Sequence, residues 1–167
     1  MSALSFFVLS NNAFSGALPS QVWTLPELEF LAVESTELQG TIPTEIGLAS
    51  SLKFLLLFET NVSGTIPSEL GLTGLEVFDV AEASLTGTIP SELSNISGLI
   101  SFGASGNALS GTFPQEFDNY TSFFKLTLNT TMLTGELAPS LCGAQILEFD
   151  CPDMCGCDCP CLDGRDF

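Results

Sequence analysis

Histidine is absent from this chain of 167 residues, and Lys and Arg together number only 3 against 20 Asp and Glu. The net charge of −17 and the scatter of Lys53, Lys125 and Arg165 leave no basic patch to release counterions from a phosphate backbone. Nucleic acid is therefore excluded as a partner, and an anionic membrane surface is disfavoured. Cationic partners (divalent ions, polyamines, basic proteins) stay open. Acid–base and nucleophilic catalysis also lose their commonest group with His, and there is one Tyr, Tyr120. No cysteine precedes Cys142. Charge is missing locally as well. Met1–Pro26 carries none, yet Ala3–Leu9 has no basic segment before it and so does not read as a leader. Leu93–Gln115 is too rich in Ser, Gly and Asn to span a bilayer. With no targeting segment legible, the expectation is a processed chain or one whose upstream part is missing.

What the chain does have is a repeat. Gly-x-Φ-Pro, with Φ apolar, recurs as GALP at Gly16, GTIP at Gly40, Gly64 and Gly87, and GTFP at Gly111. GELAP at Gly135 carries one inserted residue before Pro139. The spacings are 24, 24, 23, 24 and 24 residues. Counting back from each Gly, further apolar rows emerge. Phe14, Leu38, Val62, Leu85, Leu109 and Leu133 stand two before it. Leu9, Val33, Leu57, Val80, Ala104 and Leu128 stand seven before it, and Phe7, Leu31, Leu55, Phe78, Phe102 and Leu126 nine before it. Leu4, Leu28, Leu52, Leu75, Leu99 and Phe123 stand twelve before it.

Residues nine and seven before Gly face the same way in a short strand, because side chains alternate with period two. A turn is expected at Gly, a bend at Pro, and one helical turn after it, capped by the Ser or Thr of segments such as SEL and TEI. One repeat cannot bury its apolar edge alone. Neighbours must therefore stack at about 4.8 Å per coil, giving a rod about 29 Å long for six coils.

The run L-x-x-L-x-L-x-x-N-x-L-x-G-x-I-P resembles the plant-type leucine-rich repeat of receptor-kinase ectodomains and polygalacturonase-inhibitor-like proteins. It is also similar to diatom leucine-rich-repeat proteins with a Cys-rich C-terminal tail. The resemblance covers roughly Leu4 to Leu141. It implies an α/β repeat solenoid, a right-handed superhelix with a parallel concave β-sheet and short 3-10 or loop segments on the convex side. Six repeats would occupy residues 1–141 and a Cys-rich cap residues 142–167. Two departures stand out. The family's Asn, four residues before Gly, is kept only at Asn12 and Asn107; the other positions are Thr36, Thr60, Ala83 and Thr131. The family's Cys-bearing N-terminal cap is absent, which would leave Leu4, Phe7 and Leu9 edge-on.

Cys142, Cys151, Cys155, Cys157, Cys159 and Cys161 make an even set, read as three disulfides capping the last coil, where Leu147 and Phe149 extend the inward pattern. A thiolate metal cluster is the weaker option, since paired C-x2-C spacing and His are missing. Sequons at Asn61, Asn95, Asn119 and Asn129 support a secretory, extracellular or cell-surface setting; Asn129 falls on the concave face, where a glycan would obstruct binding. Glu45, Glu69, Glu92 and Glu116 follow Pro by two residues, one per coil. They suit the first turn of each helical segment, with weak divalent-cation binding as the sharper option.

Residues ten, eight and six before Gly point outward on the concave face. In the early coils they form a contiguous apolar patch, with the row Phe6, Phe30, Phe54 at its centre and Leu56 and Phe58 beside it. Glu34, Glu59, Asp79 and Glu82 rim the patch. Later coils turn small and polar. Asp79 and Glu82 could serve a carbohydrate-active enzyme, but in so acidic a chain two neighbouring carboxylates are far more often solvated surface. The expectation is an extracellular recognition module without catalysis or cofactor, binding a protein, peptide or glycan on the concave face. A self-associating structural or adhesive scaffold is the competing expectation.

Overall fold

The structure, a computed structural model, describes residues 4–118, 120 and 123–149. Each coil places one strand on each of two parallel sheets. The first coil gives β1 (Phe6–Val8) and β2 (Ser15–Gly16), the second β3 (Phe30–Ala32) and β4 (Glu37–Thr41). Then come β5 (Phe54–Leu56) and β6 (Asn61–Gly64), followed by β7 (Val77–Asp79) and β8 (Ser84–Gly87). The chain continues through β9 (Ser101–Gly103), β10 (Ala108–Thr112), β11 (Lys125–Thr127), β12 (Met132–Thr134) and β13 (Ile146–Glu148). The odd strands form a seven-stranded sheet in the order β1-β3-β5-β7-β9-β11-β13, and the even strands a six-stranded one. Register follows the repeat: Phe6 pairs with Phe30, Phe30 with Phe54, Phe54 with Val77 and Val77 with Ser101.

Alternation puts Leu31, Leu55, Phe78, Phe102 and Leu126 at 0% exposure, from the middle of each odd strand. Leu38, Val62, Leu85, Leu109 and Leu133 meet them from the even strands, and Ile46, Leu70, Leu93 and Phe117 from the 3-10 turns. Inside, the Phe78 and Phe102 rings stack at 5.5 Å. Phe113, Phe117, Tyr120 and Phe123 fill the later coils, with centroid separations of 4.8–5.8 Å.

The second sheet was not anticipated: a turn was expected where β4, β6, β8 and β10 run into their Gly. Repeating backbone at a constant offset pairs with itself, whatever its side chains, so stacked coils convert the turn into a ladder. Each Gly there sits at positive φ, from 80° at Gly87 to 100° at Gly40. The space is taken as well, since a Cβ on Gly87 would stand 2.9 Å from Thr65 Cγ2.

One further expectation is corrected. The 3-10 turns Thr44–Leu48, Ser68–Leu72 and Ser91–Asn95 are entered through Pro43, Pro67 and Pro90 in extended geometry, without a side-chain cap. Proline's fixed φ makes it the boundary residue, so Ser or Thr lies inside the turn. The polar row that departs from the family's Asn still makes hydrogen bonds at Thr36, Thr60 and Asn107. Thr36 and Thr60 donate to Val33 and Leu57 carbonyls of their own coils at 2.7 and 2.6 Å. Asn107 does more: its amide donates to Ala104 O and, across the coil boundary, to Val80 O at 2.8 Å, while its Oδ1 accepts from Leu85 N. Val80 and Leu85 flank Ala83, so Asn107 serves the coil whose own polar residue is missing.

Candidate functional site

The outward rows of the odd-strand sheet form the concave face. Phe6 and Phe30 stack at 5.7 Å, and Phe30 and Phe54 follow at 5.4 Å. Phe6 is 64% exposed and Val8 56%; Phe30, Phe54, Leu56 and Phe58 are half-buried. The aromatic row is thus a cross-strand ladder in which Phe30 is flanked by Phe6, on the edge strand β1, and by Phe54. Ala32, Gly103 and Thr127 lie on the same outward rows but are buried, being small beside larger neighbours.

Beyond the apolar half the chemistry changes. Asp79 Oδ2 reaches Lys125 Nζ at 3.7 Å across the intervening strand β9. Gly103 makes this possible, because a Cβ there would lie 2.6 Å from Asp79 Oδ1. Ala81 N donates to Asp79 Oδ1 at 3.1 Å. Burial pushes the Asp79 carboxyl above the ordinary carboxylate range, against the lowering effects of Ala81 and Lys125. Further along, Ser105 donates to Asn129 Oδ1. The Asp79–Lys125 ion pair, invisible in either residue alone, was missed at the sequence level; a Gly between an acid and a base at repeat spacing is the signal that could have found it.

The expected rim is not one cluster. Glu59 accepts from Ser35 Oγ at 2.7 Å, while Glu82 lies over Gly106. Glu34 keeps Oε2 buried with no hydrogen-bond partner, as does Ser10 Oγ in the neighbouring coil. Asp79 and Glu82 belong to this face, with Asp79 committed to Lys125 and Ala81. Asn61 and Asn95 are exposed. Asn119 and the five cysteines from Cys151 onward lie outside the described residues, and the disulfide expectation with them.

The opposite rows, on the even-strand sheet, are also regular. Thr41, Thr65, Thr88 and Thr112 are exposed, one per coil. Thr65, Thr88 and Thr112 place their methyls beside Gly87, Gly111 and Gly135 of the next coil. Ser63, Thr86, Ser110 and Thr134 donate to the Gly carbonyls of the preceding coil at 3.2–3.4 Å. Among the described residues no three acids or cysteines converge to hold a metal ion, and no helix is long and apolar enough to cross a membrane.

Two parallel ladders joined by 3-10 turns around one apolar core define a leucine-rich-repeat solenoid. Structural comparison narrows the class. The chain resembles the plant-type leucine-rich-repeat proteins in sequence as well as in fold. It is similar to the ectodomain of the Arabidopsis thaliana membrane receptor kinase GASSHO1/SCHENGEN3, solved with CASPARIAN STRIP INTEGRITY FACTOR 2. That match has 30% identity and a TM-score of 0.78, covering 84% of this chain and 17% of that one. It is similar to the plant peptide hormone receptor RGFR1 in complex with RGF2, at 29% identity and TM-score 0.72, covering 87% and 28% of the two chains. A plant ice-binding protein matches at 28% identity and TM-score 0.74, covering 89% and 48%. The chain therefore spans less than half the length of each of these proteins. No family profile and no curated protein sequence matches it.

Proposed function

We propose that the chain is a non-catalytic extracellular recognition module whose concave face binds a peptide or protein through Phe6, Phe30, Phe54, Leu56 and Phe58. The observation that carries this reading is the laddered Phe6–Phe30–Phe54 stack, solvent-facing on a sheet whose inward residues already fill the core. Aromatic centres supply desolvation energy and a polar rim supplies orientation. Receptor ectodomains solved with peptide ligands among the structural neighbours support a peptide over a glycan. Peptides selected from a random display library on the wild-type chain are expected to lose at least about tenfold in affinity on the Phe30→Ser/Phe54→Ser variant, the truncation of two central aromatic anchors. Retention of full affinity refutes the assignment.

A second reading has its own observation. Two ranks of the even-strand sheet, Gln39–Ser63–Thr86–Ser110 and Thr41–Thr65–Thr88–Thr112, carry no charge in a chain with 20 acids, and Glu37 is the acid that flanks them in coil two. Their methyls and hydroxyls are locked against the neighbouring coil. A rigid periodic array suits a periodic ligand, and the resemblance to a plant ice-binding protein directs this reading to ice. Adsorption to polycrystalline ice that survives Phe30→Ser/Phe54→Ser and disappears with Thr65→Glu/Thr88→Glu is the result it expects. No adsorption of the wild type removes it.

A further inference from the structure

Gly103 makes a hollow in the concave face that the protein's own side chains close. It lies on an outward rank with no side chain, yet it is buried, with the Asp79 carboxylate laid over it. Asp79 comes from β7 and Lys125 from β11, so their pair crosses β9 above Gly103. The two carboxylate oxygens have different tasks. Oδ1 is anchored by Ala81 N at 3.1 Å, while Oδ2 faces Lys125 Nζ at 3.7 Å. A charge-assisted hydrogen bond closes to about 2.7–2.9 Å, so the second contact is held by charge alone. The Asp79 side chain is 15% exposed and that of Lys125 36%, which leaves both within reach of solvent protons.

The surroundings offer Lys125 no second ion-pair partner among the described residues. Asp79 is flanked in register by Leu56 on β5 and Gly103 on β9, and Gly103 by Thr127 on β11. Glu59 accepts from Ser35, Glu82 lies over Gly106, and Glu76 stands just before β7. Glu148 is the register partner of Thr127 on β13, on the side of Lys125 away from Asp79.

We infer that the Asp79–Lys125 pair is an acid-released strap, which closes the hollow at Gly103 while Asp79 is ionised and opens it when Oδ2 takes a proton. With Oδ1 committed to Ala81 N, the proton goes to Oδ2. An ammonium has donors only and finds nothing to hold on a hydroxyl turned toward it without charge. Lys125 then moves to solvent, and the face gains one positive charge and a stretch of uncovered β9 between its aromatic and polar halves. Burial pushes the Asp79 carboxyl above the ordinary carboxylate range, so the strap opens at milder acidity than an exposed Asp would allow. The folded chain holds this proton more tightly than the unfolded one. Stability is therefore lost as pH rises through the Asp79 range, and the closed strap is the less stable form. The device needs no ligand, so it stands or falls apart from the concave-face reading.

The chain has two lysines, Lys53 and Lys125. Carbon-13-labelled lysine in the whole chain thus gives two Cε signals for an NMR pH titration, with Asp79 Cγ followed alongside. Lys125 Cε is expected to shift in one step with the midpoint of Asp79 Cγ, above the value of about 3.9 for an exposed Asp. Lys53, paired with Glu29, is the internal reference. In Asp79→Asn the step should vanish, with Lys125 at its acid-limit position at every pH. Gly103→Ala should bring Lys125 toward that position already at neutral pH, because the new Cβ would stand 2.6 Å from Asp79 Oδ1. A Lys125 signal that stays still while Asp79 titrates overturns the strap, as does a step that persists in Asp79→Asn. An Asp79 midpoint at or below the exposed value overturns it too. The wild-type titration decides alone if either variant fails to fold.

Discussion

Asn107→Ala is expected to lower the unfolding free energy by about 3 kcal/mol or more, with each buried backbone group left unpaired costing about 1–3 kcal/mol. Three such groups depend on this side chain: Leu85 N, Val80 O and Ala104 O. Asn107 is 5% exposed, so water cannot replace the lost partners. The mechanism makes a sharper demand. Thr36 and Thr60 each donate to a carbonyl of their own coil only, so Asn107→Thr should satisfy its own coil and abandon the one that contains Ala83. In an Ala83→Thr background the abandoned coil gains its own hydroxyl, and Asn107→Thr should then cost little. Urea unfolding of the two single variants and the double variant gives the coupling, expected at about 1–2 kcal/mol in favour of the double variant. Strict additivity would show that the cross-coil hydrogen bonds carry no weight.

Leu55→Ala comes next in size, at about 2–5 kcal/mol, for loss of burial plus the cavity left behind. Leu55 is at 0% exposure, between Leu31 and Phe78 in the register of the odd-strand sheet. Leu56 points to the concave face and is half-buried, so Leu56→Ala should cost less than about 1 kcal/mol. Chemical denaturation of the two variants settles the facing of the strand. Reversed costs would move the binding face to the other side.

Most of the solenoid is legible in the sequence because its core is written as rows. Leu31, Leu55, Phe78, Phe102 and Leu126 recur nine residues before Gly, and period-two alternation then assigns Phe30 and Phe54 outward. What stayed hidden depends on relations between coils. The second sheet arises from stacking of Gly-containing segments that look like turns singly. The Asp79–Lys125 pair needs Gly103 between them, and the service of Ala83's coil by Asn107 needs a neighbour to supply it. Backbone at Ser35, Glu59, Glu82 and Thr130 adopts φ of 51–58°, a left-handed corner that only Gly106 and Asn11 announce by residue type. In the site, the aromatic row was predicted residue by residue. The unpartnered oxygen of Glu34 was not, since satisfaction of a polar atom is decided by its three-dimensional neighbours.

The central claim is that the Phe6–Phe30–Phe54 stack is a surface for a different molecule. Sedimentation velocity of the wild type beside Phe30→Ser/Phe54→Ser, each alone and with a peptide selected on the wild type, tests it most directly. The account predicts monomers for both chains, a peptide that co-sediments with the wild type, and none with the variant. Wild-type oligomers that dissociate in the variant would contradict it and make the chain a self-associating scaffold; equal co-sedimentation with both would place the binding site on another face.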